Sequence, residues 1–396
     1  MLVSRGYKIE NIRTFNRTVI VNTIRAEGAV SKAKIARLTG ISVPTVNRQV
    51  EELLREDLIC QDHNDFERGR GRPGELFEFN GKSHFVIGID LAFPNIRGMV
   101  ADLSGTIHTE MIEPVEKGNG VENYRRLLSL IERLQNETKV ERSKIYGIGL
   151  GIGGIVDHEN GIVLQSAMMG WENFHLAKLL YTETGFTLFL DNDVSLSTIG
   201  EHGFGLGQGL SNFACVTLGT RVLCGLVLDG NLFRGSNFNS GRIDNFIPAY
   251  EFQPQINHHD LESQGIMEML VSSPNVLRKG RILLERINPG KAAHLDDPKQ
   301  VYQAAGQGEP WALEVIETIV PPLALMFSNI SSLLDLEMII ISGRMADESQ
   351  VITPMISEYL KGKTLRVPNI KSSNLGSKAT VMGAVMLVYK GILHNW

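Results

Sequence analysis

At 396 residues, with 43% apolar and 21% charged side chains, the chain is too long for one ordinary core and too average in composition for a disordered or fibrous protein. The net charge of -5 is unevenly spread: residues 1 to 82 carry 14 Lys and Arg against 11 Asp and Glu, a net +3, which leaves -8 for the remainder. No run approaches the roughly 18 apolar residues of a membrane span and no charged-then-apolar leader opens the chain, so a soluble, cytoplasmic, multidomain protein is expected.

The first segment with helical spacing runs from Thr14 to Glu27, where Phe15, Val19, Ile20, Thr23 and Ile24 form one apolar stripe before Gly28. Ser31 then stands where an N-cap belongs, opening a short helix from Lys32 to Thr39. Gly40 supplies a tight turn, and Ser42 is placed to cap a third helix. In that helix Val46, Val50, Leu53 and Leu54 face inward, while Val43, Thr45, Asn47, Arg48 and Gln49 face outward or lie at its start. Ala36, Gly40 and Val46 have the spacing of a helix-turn-helix: a small residue at the helix crossing, a turn glycine and a branched residue locking the recognition helix. A plain three-helix packing module would share those apolar positions, so they do not decide the matter alone.

The following segment favours DNA. Leu58 to Cys60 and Glu75 to Phe79 read as two wing strands, and between them runs Glu67-Arg68-Gly69-Arg70-Gly71-Arg72-Pro73-Gly74. Arginines separated by glycines present little bulk, so Arg70 and Arg72 suit a narrow minor groove, whereas a solvated linker is the alternative. Ser42, Thr45, Asn47 and Arg48 are the candidates for the major groove and its phosphates. Double-stranded operator DNA is the expected partner, bound by a homodimer or homotetramer.

Behind this head, strands are expected at Phe85 to Asp90 and Arg97 to Asp102, a helix from Tyr124 to Gln135, a buried apolar run from Ile145 to Ile155 and a closing helix from Ala379 to Tyr389. Strands and helices alternate to the C-terminus, giving an α/β class. Cys60, Cys215 and Cys224 are scattered, lack metal-ligand spacing and suit reduced thiols.

Three motifs in order, Gly149-Leu150-Gly151-Ile152-Gly153-Gly154-Ile155-Val156-Asp157, Gly170-Trp171-Glu172-Asn173 and Asp191-Asn192-Asp193, resemble the ROK family of repressors and sugar kinases. The Arg-Gly-Arg-Pro segment resembles the linker of its repressor branch. The resemblance implies a winged helix-turn-helix over 1–83, followed by a two-lobed actin-like domain with a sugar cleft. Its first lobe would comprise 84–195 with 375–396, and its second 196–374.

The same resemblance exposes what the kinases have and this chain lacks. Phosphoryl transfer needs backbone N–H groups close to the phosphates and a base for the attacking hydroxyl. The kinases carry Asp-x-Gly-Gly-Thr after the first strand. Here the run is Asp90-Leu91-Ala92-Phe93-Pro94, with a proline that has no N–H and a bulky ring beside it. The second phosphate loop, Gly-Thr-Gly-Ile-Gly-Gly-Gly in the kinases, reads Gly219-Thr220-Arg221-Val222-Leu223-Cys224-Gly225. Its backbone is expected to follow another path, with Arg221 as a charge that nucleotide phosphate could meet. A third departure is Ser342-Gly343-Arg344, where the kinases have paired glycines near adenine.

At the implied sugar site Asn192 and Asp193 match the residues holding the hydroxyls, although Asp193 also suits a helix cap. Ala-Gly-Glu-Ile-Gly-His has become Ser240-Gly241-Arg242-Ile243-Asp244-Asn245, so Arg242 and Asn245 replace a glutamate and a histidine. A cation that only donates points to an acidic or phosphorylated sugar. Glu268 occupies the last sugar-contacting position. The family's zinc-binding cysteines are missing around His259 to Ile266, and the adjacent His258 and His259 read as solvated surface, so no metal and no cofactor are expected. Together these readings predict a non-enzymatic, sugar-controlled repressor. Two alternatives are a sugar kinase with an added DNA head, and a protein-interaction module using Phe93 or Phe238.

Overall fold

A computed structural model describes residues 9–62, 75–236, 239–247, 265–343 and 345–394. Arg70, Arg72, Phe238, His258, His259 and Arg344, all singled out above, lie outside the described residues.

The head comprises helix α1 (Ile9–Glu27), strand β1 (Val30–Ser31), α2 (Lys32–Thr39), α3 (Val43–Arg55), β2 (Ile59–Asp62) and β3 (Leu76–Phe79). The three strands form a small antiparallel sheet in the order β1-β3-β2, the wing of a winged helix. Ser31 caps α2 by accepting the Lys34 N–H at 3.3 Å, and Gly40 ends it in the left-handed region at φ 70°, donating to the Ala36 carbonyl at 3.0 Å. Val46, Val50 and Leu53 of α3 are buried against Ile20, Val21 and Ile24 of α1 and Ile35 of α2. Ser42 has N-cap backbone angles, yet its hydroxyl bonds that of Thr45 at 2.8 Å and caps no backbone N–H. Apolar spacing alone puts Gln49 on the outer face or at the helix start. Instead Gln49 is fully buried and donates to Glu52 at 3.2 Å, because α3 is held along that side by ion pairs to α1, Arg13 with Glu52 and the buried Arg17 with Glu56.

The first lobe opens with the antiparallel strands β4 (Phe85–Leu91), β5 (Asn95–Asp102) and β6 (Ile107–Pro114), then α4 (Gly120–Glu137) and β7 (Ile145–Ile152). A three-stranded ribbon of β8 (Ile155–Asp157), β9 (Ile162–Ser166) and β10 (Trp171–Phe174) leads to α5 (Leu176–Thr184), β11 (Leu188–Asn192) and α6 (Asp193–Phe204). The main sheet has the order β6-β5-β4-β7-β11, the last two parallel to β4 or to each other.

The second lobe repeats that plan. Its sheet, β14-β13-β12-β15-β16, again joins three antiparallel strands to two parallel ones. The strands are β12 (Phe213–Leu218), β13 (Val222–Leu228), β14 (Asn231–Phe233), β15 (Met338–Ser342) and β16 (Ile370–Ser372). Between β14 and β15 come a 3-10 turn (Ile243–Asn245), α7 (Ile266–Val271), α8 (Ser273–Ile287), α9 (Pro289–Ala292), α10 (Pro298–Gly306) and α11 (Pro310–Leu334), and α12 (Ser349–Leu360) follows β15. By length and composition α11 could cross a membrane, but it is this lobe's core helix, with Val315, Ile319, Leu323 and Phe327 fully buried.

The last helix, α13 (Ala379–His394), returns to the first sheet and lies directly against α6. A Cβ on Gly383 would fall 1.7 Å from the Leu196 carbonyl oxygen, and one on Gly200 2.2 Å from that of Ala379, so the two backbones touch where glycines permit it. The boundary expected after residue 195 therefore falls inside α6, a helix shared by both lobes. Toward the second lobe the Ser197 hydroxyl meets that of Ser342 at 2.9 Å. Glu201, fully buried, accepts from the Ser373 hydroxyl.

Candidate DNA-binding head and effector cleft

On the head, α3 presents Ser42 and Arg48 exposed and Thr45 and Asn47 partly exposed. Thr45 and Arg48 are three residues apart, close to one helical turn, and so share the outer face, with Asn47 beside it. Val43 at the N-terminal end of that face is half exposed, an apolar group available to a thymine methyl.

The cleft begins where β11 runs into α6. Asn192 caps α6: its side-chain oxygen accepts the Ser195 N–H at 2.7 Å, and its NH2 group can only donate. Asp193, the first residue of α6, accepts the Val194 N–H through Oδ1 at 2.9 Å, while the capping position belongs to Asn192. Burial raises its carboxyl above the usual range, partly offset by that N–H and by the Arg221 guanidinium. Opposite stands Asp90 at the end of β4. Burial first and the Asp193 carboxylate second push it up to about 7, against the pull of Arg97. Its Oδ1 is buried without a hydrogen-bond partner.

On the second lobe, Arg221 comes from the β12–β13 turn, Arg242 and Asp244 from the 3-10 turn, and Glu268 from α7. Arg242 binds the fully buried Asp244 through Nε at 2.9 Å and Nη2 at 2.7 Å, and Arg221 reaches Glu268 at 3.3 Å and Asp244 at 3.7 Å. Glu268 also accepts the Val222 N–H at 3.3 Å, and burial raises its carboxyl. Two cations thus answer two carboxylates. The sequence reading treated Arg242 as an unmatched positive charge, but Asp244, two residues on, neutralises it. Asn245 is exposed at the end of the same turn.

The two phosphate loops have closed geometries. The first is a short turn between β4 and β5, where the Phe93–Pro94 peptide is cis and Phe93 is exposed. In the second, the Gly219 N–H donates to the Arg221 carbonyl at 3.1 Å, and Leu223 and Cys224 lie in the regular strand β13, away from the left-handed region. Across the cleft, buried Asp191 takes a two-pronged ion pair from Arg234, 3.0 and 2.5 Å, tying β11 to the segment after β14. The motifs point to Arg221 only as a charge for nucleotide phosphate, whereas the structure pairs it with Glu268; Asp244 and the Asp191–Arg234 pair carry no signal beyond their places within or beside the quoted motifs. Among the described residues, no group of three or more His, Cys, Asp or Glu could hold a metal ion.

Residues 86–390 match the model of the ROK family, three quarters of the chain. The chain belongs to the ROK family. Its residues 17–59 match the model for winged helix-turn-helix DNA-binding domains, so this ROK protein carries that head ahead of the sugar-kinase-like part. It is 24% identical to the xylose repressor of Caldicellulosiruptor bescii, over 96% of this chain and 97% of that one. It is also 27% identical to the glucokinase of Halalkalibacterium halodurans, a match spanning 94% of that enzyme and only 77% of this chain. Among solved structures, a ROK family transcriptional regulator, a homologue of the E. coli MLC protein, superposes with a TM-score of 0.82 at 22% identity, over 97% of each chain. The ROK kinase relative thus matches the lobes without the head, whereas the regulators match end to end.

Proposed function

We propose that the chain is a DNA-binding transcriptional repressor acting in the cytoplasm, controlled by a sugar held between its lobes, and that the kinase-like part performs no phosphoryl transfer. The observation that carries this reading is the second phosphate loop. Its Gly219 and Val222 N–H groups are spent on Arg221 and Glu268, and the Arg221 side chain projects where the family kinases have glycine. Backbone donors already satisfied within the protein offer nothing to a nucleotide, and catalysis of phosphoryl transfer rests on such donors.

The effector-binding set is Asn192, Asp193, Glu268, Arg242 and Asn245, with Arg221 added. Because Arg221 and Arg242 are matched by Glu268 and Asp244, the cleft favours a neutral polyol over the sugar acid or sugar phosphate that Arg242 alone suggested. A pentose or hexose fits the mixture of carboxylate acceptors and amide or guanidinium donors. Operator contacts are assigned to Ser42, Thr45, Asn47 and Arg48, and minor-groove contacts to Arg70 and Arg72, in a dimer or dimer-based tetramer.

The test combines a thermal-shift panel of neutral, acidic and phosphorylated sugars with an ADP-release assay on the same panel. A neutral sugar is expected to raise the melting temperature, by mass action on the folded state, while ADP release with ATP and that sugar stays at background. Sustained turnover on any sugar makes the protein a kinase with an added DNA head and removes the proposal.

A further inference from the structure

Arg25, in the last turn of α1, lies on the seam between the DNA-binding head and the first lobe, beside the apolar core that the two share. Its guanidinium carbon lies 5.1 Å from the Phe204 ring centre, 5.4 Å from that of Tyr389 and 5.9 Å from that of Phe79, and it donates to the Gly203 carbonyl at 3.4 Å. These rings come from three different units: Phe79 from the wing strand β3, Phe204 from the end of α6, and Tyr389 from α13. An arginine caged by aromatic faces is held by cation–π attraction as well as by its hydrogen bond, and its planar group fixes their relative orientation.

The far end of α6 is the effector cleft. Asn192 caps the helix and Asp193 is its first residue, so the 12-residue helix, about 18 Å long at 1.5 Å per residue, runs from cleft to cage. Between these ends α6 is clamped to the first lobe by the glycine contacts with α13 and to the second lobe through Ser197 and Glu201. Side chains packed on both sides leave it no freedom to bend independently. A displacement of the lobes about α6 therefore moves Gly203 and Phe204, and with them the group that seats α1.

We propose that Arg25 is the positioning residue that couples the cleft to the DNA-binding head, with α6 as the rod between them. This rests on the reading of the protein as a sugar-controlled DNA binder. Arg25 touches neither DNA-facing residue nor effector-site residue, so its removal should leave each binding event intact and abolish only their dependence on one another.

The experiment uses the full-length chain and a duplex recovered by selection from a random-sequence library, with D-xylose and D-glucose as probes. Operator affinity is measured with and without saturating sugar in the unaltered protein, Arg25→Ala, Arg25→Lys and Phe204→Leu. The unaltered protein should show an affinity ratio of about fivefold or more, the usual lower range of allosteric coupling. In Arg25→Ala the ratio should fall to within about twofold of one, while the sugar-free affinity and the sugar-induced melting shift persist; Arg25→Lys, which keeps the charge, should recover part of the ratio. Phe204→Leu opens the same cage without touching Arg25 and should also lower the ratio, which keeps the test decisive where Arg25→Ala does not fold. A ratio unchanged in Arg25→Ala, or in Phe204→Leu where the alanine variant does not fold, overturns the link while leaving the functional reading intact. Sugar that shifts the melting temperature but leaves operator affinity untouched in the unaltered protein overturns the link as well. If no sugar binds at all, the functional reading falls and the link with it.

Discussion

Asp90 is a buried cleft carboxyl whose acidity lies far from its ordinary state. Its folded carboxyl keeps a proton up to about pH 7, whereas in the unfolded chain it releases it near its ordinary value of 3.8. The stability it contributes is therefore complete below about pH 4 and lost as the pH rises through 7. Asp90→Asn, which cannot ionise, should be more stable than the unaltered protein above pH 7, by on the order of 2 kcal/mol, with the difference closing below pH 4. Denaturant melts at pH 4, 6 and 8 check this, and a difference that ignores pH would refute the assignment. The sequence marked Asp90 only as the head of a broken phosphate loop. Its altered acidity comes first from burial and then from facing Asp193, over 100 residues away in the chain, and no local pattern carries either. Arg242 teaches the same lesson in reverse: the substitution of a cation for a glutamate was legible, but the buried Asp244 that cancels it was visible only once the 3-10 turn placed both side chains together.

At the scale of elements, periodicity located most of what exists. The head helices, the wing strands, the β4–β5 pair and α13 all stand where apolar spacing put them, because each has one strongly buried stripe or face. Gln49 broke the pattern, since its burial comes from the ion pairs binding α1 to α3 and not from its own polarity. The role of α6 was hidden for a different reason. Its meaning comes from Gly200 and Gly383, glycines that matter for a close approach between helices nearly two hundred residues apart. Gly383→Ala should accordingly destabilise the protein by about 3 kcal/mol, a cost typical of overpacking in a core, while Gly28→Ala, whose Cβ meets open space and bears only the strain of a left-handed φ of 71°, should cost about 1 kcal/mol. Equal losses in chemical denaturation would contradict the contact. On the recognition helix, Arg48→Ala should weaken binding of the selected duplex roughly tenfold and relax specificity at one position. Arg70→Ala with Arg72→Ala should instead weaken binding to all duplexes and flatten the dependence of log K on log salt by about one unit per lost phosphate contact. A salt slope that stays the same in the double variant would exclude those arginines from the groove.

For the molecule as a whole, two lobes with the same strand order meet across α6, and a DNA-binding head is seated on α6 and α13. The fold class was open to sequence reading because the glycine-rich motifs and the head's turn chemistry are local. The charge balance of the cleft and the seating of the head were not, because both arise between distant segments. A sugar-controlled repressor must bind both DNA and a neutral sugar, and the two must be linked. The most direct measurement is the dissociation constant of the selected duplex across a titration of neutral sugar, with ATP absent throughout. A shift of fivefold or more that saturates with sugar is the predicted result. A duplex affinity that stays flat across the whole titration contradicts this link between sugar and DNA.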